Sequence, residues 1–152
     1  MRYEFVSVEY EKASGETILY LIGRGEDGSR DITRITGFQP YCFVDPEVAR
    51  EIGIARNRLE RTTLRSFFGD PVVKVKFIYP TQVRAFREWL AKNGYRSYES
   101  DIPFVDVFLK DSGIVSGYEK DELGNIKPVE LVVPLRKLYL DIEMDNPGRT
   151  LD

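Results

Sequence analysis

One stretch, Pro71 to Tyr79 (PVVKVKFIY), alternates more strictly than any other in this chain. Val73, Val75, Phe77 and Tyr79 fall on one face of an extended strand, Lys74 and Lys76 on the other. Pro80-Thr81 then opens a helix in which Val83, Phe86, Trp89 and Leu90 share one stripe, and Asn93-Gly94 supplies its stop. Tyr95 to Ser100 reads as a short extended return. A strand, a helix and a second strand in so few residues confine the chain to folds that pack helices on a sheet. The expected class is α+β, with small mixed β-sheets, a ferredoxin- or RNA-recognition-like βαβ unit, and two or three packed helices.

The flanking sequence fits that frame. Tyr3 to Tyr10 and Thr17 to Ile22 read as strands. Between them and the β-branched run Asp31 to Thr36 lies Gly23-Arg24-Gly25-Glu26-Asp27-Gly28, a literal match to the dinucleotide fingerprint. Glu26 and Asp27 would repel a pyrophosphate and no helix follows, so Asp27-Gly28 is read as a hairpin turn. Gly37 to Val44 is an aromatic strand interrupted at Pro40, and Asp45-Pro46 opens a short helix towards Ile52. Ala55 to Phe68 is ambiguous between helix and irregular structure. Asp101 and Pro103 start a helix that carries Phe104, Val107 and Phe108 inward and ends at Gly113. Strands are expected at Ile114 to Tyr118 and Val129 to Val133, about a turn at Asp121 to Asn125, and Pro134 marks a boundary.

Absent residue types exclude whole chemistries. Histidine does not occur among the 152 residues, which removes Ser-His-Asp and Cys-His nucleophiles and imidazole-based zinc sites. The single cysteine, Cys42, forms no internal disulfide and suits a reducing cytoplasm. No apolar run reaches membrane-spanning length. Net charge is −3, yet Arg50, Arg56, Arg58, Arg61 and Arg65 stand against only Glu51 and Glu60. Such a local field suits phosphate, so Arg56, Arg58, Arg61 and Arg65 are candidate phosphate ligands. No aromatic residue interleaves with them before Phe67, so base stacking is not indicated there.

Near the C-terminus, Leu135 to Met144 (LRKLYLDIEM) reads as a strand. Asp141 and Glu143 would share one face about 7 Å apart. Two carboxylates so placed can hold a hard divalent cation, although a two-metal nuclease site needs more.

Tyr98 to Gly113 (YESDIPFVDVFLKDSG) resembles a segment of the archaeal family B DNA polymerases. FQPYCF (Phe38 to Phe43), FFGDP (Phe67 to Pro71) and the P-x-x-V of Pro80 to Val83 are similar to further pieces, in the same order. The resemblance makes Asp141-Ile142-Glu143 the first motif of a 3′–5′ exonuclease, with Met144 where threonine is usual. It implies that residues 1–134 are an N-terminal template-binding domain. Residues 135–152 would be the first strand of an exonuclease domain that continues past this chain. It further implies that Tyr10, Pro40, Tyr41, Pro80, Val83, Ile102 and Phe104 line a pocket that captures uracil in the template, with Arg87 on a neighbouring phosphate. Read from the residues alone, the same positions make one continuous core. Val105-Asp106-Val107 stands where relatives carry basic residues, which weakens the expected backbone grip.

The expected cofactor is Mg²⁺ or Mn²⁺ in the intact enzyme, bound weakly by this stretch alone. Expected partners are single-stranded template DNA, the rest of a polymerase chain and a sliding clamp, with no membrane. Two other readings stay open: a small carboxylate-metal nuclease, and an RNA-binding or protein-interaction module built on Pro71 to Gly94.

Overall fold

The computed structural model describes residues 1–134. Ten-residue-scale alternation at the N-terminus builds two long strands, β1 (Arg2–Ala13) and β2 (Glu16–Gly25), joined at Gly15, whose φ of 76° favours glycine. The second hairpin leads into β3 (Arg30–Ile35). Its turn is closed by Gly28 N–H to Gly25 O at 2.9 Å and by Ser29 N–H to the Asp27 carboxylate at 2.9 Å. The glycine-rich hexapeptide therefore turns the chain. After a long excursion, β7 (Gly117–Lys120) and β8 (Ile126–Val129) complete a five-stranded antiparallel sheet in the order β3-β2-β1-β7-β8.

The excursion forms a second unit. Strand β4 (Tyr41–Val44) leads to α1 (Pro46–Glu51), a 3₁₀ turn (Arg56–Arg58), β5 (Leu59–Arg65), β6 (Pro71–Lys76) and α2 (Pro80–Lys92). The sheet order is β4-β6-β5, all antiparallel, and Tyr98 adds a single antiparallel bridge to Phe43 on the outer side of β4. Strand, helix, two strands, helix and bridge in that spatial order are a ferredoxin-like split βαβ circuit. Its last strand is reduced to one bridge. Among the described residues the α+β class stands as read, three helices answer to the two or three expected, and the pairing is antiparallel where mixed sheets were expected.

Several boundaries differ from the sequence reading. The arginine-rich stretch is a 3₁₀ turn followed by strand β5. Of the strands after α3 (Phe104–Ser112), β7 starts later than expected, at Gly117, since Gly113 ends that helix at φ 72° and Ile114 is buried in the core, whereas β8 starts earlier than expected, at Ile126. Strand β7 pairs with β1 closely enough at Gly117 that a Cβ there would meet Tyr3 O at 2.7 Å, so the position requires glycine. Pro128 sits on edge strand β8, the position a sheet tolerates. Asp45 occupies the N-cap of α1, but its carboxylate accepts from Tyr98 Oη at 3.1 Å instead of capping the helix. The strand expected at 135–144, with Asp141 and Glu143, lies outside the described residues.

Three apolar clusters hold this together. Tyr3, Leu19 and Leu21 of the large sheet pack with Phe104 and Phe108 of α3. Cys42, Val44 and Val75 of the small sheet pack with Ala49 of α1 and Val83 and Leu90 of α2. On that sheet's other face, Tyr41, Phe43 and Val72 pack with Val107 of α3. Each fully buried aliphatic side chain contributes about 1.5–3 kcal/mol.

A candidate base-binding pocket where the three cores meet

Two helix starts define the site. Pro80 is the first residue of α2, and the Gln82 side-chain oxygen accepts from the N–H groups of Ile78 (3.0 Å) and Tyr79 (2.9 Å), fixing the entry of the chain. Pro103 sits at the N-cap of α3, and its carbonyl accepts from Asp106 and Val107 N–H, both at 3.0 Å. Both helices open onto one cavity of about 460 Å³. This volume is in the range of small-molecule sites.

Tyr10, Pro40, Tyr41, Pro80, Val83, Arg87, Ile102 and Phe104 all line that cavity. They come from β1, the residue before β4 and its first residue, the N-terminal half of α2, and the entry to α3. Phe104 belongs to the first apolar cluster, Val83 to the second, and Tyr41 and Ile102 to the third. The cavity is thus a gap at the junction of three cores rather than one continuous core. Its walls are braced from behind: Tyr10 meets Phe104 edge to face at 5.5 Å, and Phe38 lies 5.6 Å from Phe104.

The polar groups around this apolar wall are largely committed. Tyr41 Oη donates to the Asp111 carboxylate at 2.8 and 3.0 Å, with Lys74 Nζ 4.4 Å from its ring centroid. Burial, and then that hydrogen bond, push the phenol up to about 12, so it stays a donor. Arg87 Nη1 donates to Ser100 O at 3.3 Å, and Arg84 pairs with Glu88 at 3.1 Å. Glu99, just before the lining residues Ser100 and Asp101, has φ 55°; it is the one non-glycine residue with positive φ among those described, and Lys110 holds its carboxylate at 2.6 Å. The backbone N–H groups of Thr81, Phe104 and Val105, in the first turns of the two helices, have no acceptor among the described residues. An apolar slot with a few free backbone donors at its rim suits a flat heterocycle with carbonyl oxygens.

Sequence reasoning passed over Thr81, Arg84, Ser100, Asp101, Pro103, Val105 and Val107, which also line the cavity. Helical spacing from Pro80 gives Arg84 and Arg87 together, a signal present in the sequence. Val105 and Val107, which flank Asp106 in the first turn of α3, both line this wall.

The four candidate phosphate arginines are not one group. Arg58 lies 4.7 Å from the Phe77 ring centroid and its Nε donates to Lys76 O at 3.3 Å, while Arg65 Nη1 donates to Gly69 O at 2.9 Å. Arg56 and Arg61 instead line a separate groove with Arg50. On the small sheet, Tyr41 and Phe43 occupy the face on which an RNA-recognition module stacks bases. Here they are buried, packed with Val107 of α3. Among the described residues, no three His, Cys, Asp or Glu side chains gather as a metal site, and Asp141 and Glu143 lie outside them.

No protein-family profile matches the chain. It is similar to DNA polymerase 2 of Aeropyrum pernix, 31% identical over 193 residues that take in all of this chain and 24% of that protein. Its fold is similar to that of the family B DNA polymerase from the hyperthermophilic archaeon Pyrobaculum calidifontis. The TM-score is 0.63 at 26% identity, over 80% of this chain and 18% of the polymerase. The chain thus spans about a quarter of the curated relative it matches.

Proposed function

Since the chain is a relative of the archaeal family B DNA polymerases, matching their N-terminal part, we propose that it binds single-stranded template and senses uracil in it. The observation that carries this reading is the meeting of residues as far apart as Tyr10 and Phe104 around one cavity. Local structure does not require that convergence, and a continuous core would leave no cavity there.

The chemistry follows from the walls. A base leaves a single strand at small cost compared with extrusion from a duplex. Its ring would enter between the apolar side chains of Pro40, Val83, Ile102 and Phe104, and its carbonyl oxygens would accept from the free N–H groups at the two helix starts. Thymine differs from uracil by one methyl, and a tight apolar wall turns that into about 1–3 kcal/mol. Arg84 and Arg87 at the rim would face the flanking phosphates, their present partners being a surface carboxylate and a backbone carbonyl.

In the whole protein, Asp141 and Glu143 would supply two ligands to Mg²⁺ or Mn²⁺ in a 3′–5′ exonuclease, completed by carboxylates beyond this chain. The polymerase reading brings with it the remaining polymerase chain, a sliding clamp and a cytoplasmic setting. No helix among the described residues is long and apolar enough to cross a membrane. Comparing the affinity of matched uracil and thymine oligonucleotides tests the proposal.

A further inference from the structure

The turn joining β5 to β6 presents two aromatic rings to solvent. Phe67 is 97% exposed and Phe68 65%, and they meet edge to face with centroids 5.7 Å apart. The turn beneath them is tightly tied. Ser66 N–H donates to Asp70 O at 2.8 Å, and Gly69 N–H to Ser66 O at 2.9 Å. Ser66 Oγ accepts from Phe68 and Asp70 N–H, each at 3.2 Å, and Arg65 Nη1 closes the turn on Gly69 O. A loose loop would let such rings fold back onto apolar surface, whereas this one holds them out.

Charge surrounds the rings. The Arg96 guanidinium lies 5.4 Å from the Phe68 centroid, leaving Phe67 as the freer platform. Along the same hairpin, Arg61 joins Arg50 and Arg56 in a groove of about 830 Å³ whose walls carry no acidic residue. None of these three arginines makes a salt bridge among the described residues. A rigid exposed ring at the tip of a hairpin, with unpaired guanidinium groups further back along it, supplies the two contacts a nucleic-acid single strand needs, base stacking and phosphate neutralisation.

We infer that the β5–β6 hairpin is a second single-strand contact, in which a base stacks on Phe67 and phosphates further along the strand run into the groove of Arg50, Arg56 and Arg61. This contact ignores base identity. It rests on the template-binding reading only for taking DNA as the strand.

Fluorescence anisotropy with three strands of one length tests it: all-thymine, the same with one uracil, and an abasic strand. Phe67 belongs to none of the three apolar clusters and meets the exposed Phe68 ring at the surface, so Phe67→Ala should keep the thermal midpoint of the unmutated chain. It should weaken the all-thymine strand roughly fivefold or more, leave the abasic strand unchanged, and preserve the uracil-to-thymine ratio. The double variant Arg56→Ala/Arg61→Ala should weaken all three strands and flatten their salt dependence. Unchanged affinity in Phe67→Ala, an equal loss on the abasic strand, or no binding by the unmutated chain would overturn the inference; the first would leave the rings to a protein partner. A uracil-to-thymine ratio of one with the Phe67 effect intact would remove the pocket reading and leave the hairpin contact standing.

Discussion

The Tyr118 hydroxyl donates to the Asp31 carboxylate at 2.7 Å, although β1 and β2 lie between their strands in the sheet. The ring crosses Gly23 of β2, where an added Cβ would sit 2.4 Å from the hydroxyl oxygen. Thr33 Oγ1 also donates to Asp31 at 2.7 Å, and Lys120 pairs with it. This fully satisfied polar cluster closes one end of the large sheet against which α3 packs, and α3 carries Phe104 into the pocket.

Gly23→Ala should therefore destabilise the chain by about 1–3 kcal/mol, since the ring it meets is fully buried. Combined with Tyr118→Phe, the loss should fall short of the sum of the two single losses, because the two changes act on the same contact. Urea unfolding of the four proteins measures this, and strict additivity would show that the crossing is not tight.

Asp31 links the same cluster to pH. Burial opposes its ionisation, but donation from Lys120, Thr33 and Tyr118 outweighs burial and holds the carboxyl below its ordinary 3.8. A depressed carboxyl stabilises fully above its unfolded pKa, and that contribution disappears as pH falls through the folded value. Asp31→Asn should cost stability at about pH 7 and much less at about pH 3. An equal cost at both would mean that the charge of Asp31 is not what the cluster uses.

Cys42 should be inert. Burial pushes its thiol up to about 12, so thiolate is scarce in the folded protein at neutral pH. Labelling with a maleimide should be slow in buffer and fast in denaturant. The raised pKa also predicts stability lost as pH rises from about 9 towards 12, the unfolded chain ionising first. Fast stoichiometric labelling of the native chain would contradict the packing around β4.

The strand at Pro71, the helix at Pro80 and the turn at Asp27-Gly28 were legible because each is specified by neighbours in sequence. Convergence of the pocket residues was legible only through resemblance, since periodicity assigns Val83 and Phe104 to core faces and both are core. The gap they share arises where three packing units fail to merge, which no local pattern encodes. The arginines were read as one charge run, yet strand pairing sends Arg61 to a groove and Arg65 into its own turn. Base stacking beside the arginines was not indicated for the same reason: only the tied turn decides whether an aromatic such as Phe67 is buried or held out.

Phe104→Ala should cost about 3–5 kcal/mol, because the ring is buried in the α3 core as well as facing the cavity. Val83→Gln is gentler but not free. Val83 is 8% exposed and packs with Cys42 and Leu90, so a polar side chain there should cost about 1–3 kcal/mol even as its amide fills the cavity. Thermal unfolding of both variants checks the order, and a Val83→Gln protein as unstable as Phe104→Ala would place Val83 wholly within the core.

The central claim concerns base discrimination, and one titration tests it most directly. The unmutated chain is titrated against two single-stranded oligonucleotides that differ only in one uracil for one thymine, at fixed salt. Uracil should bind more tightly, by roughly five- to a hundredfold if the methyl is excluded by the wall. Val83→Gln should erase the difference while keeping the thymine affinity. Equal affinity of the unmutated chain for the two strands would contradict the account and leave the cavity as an accident of packing.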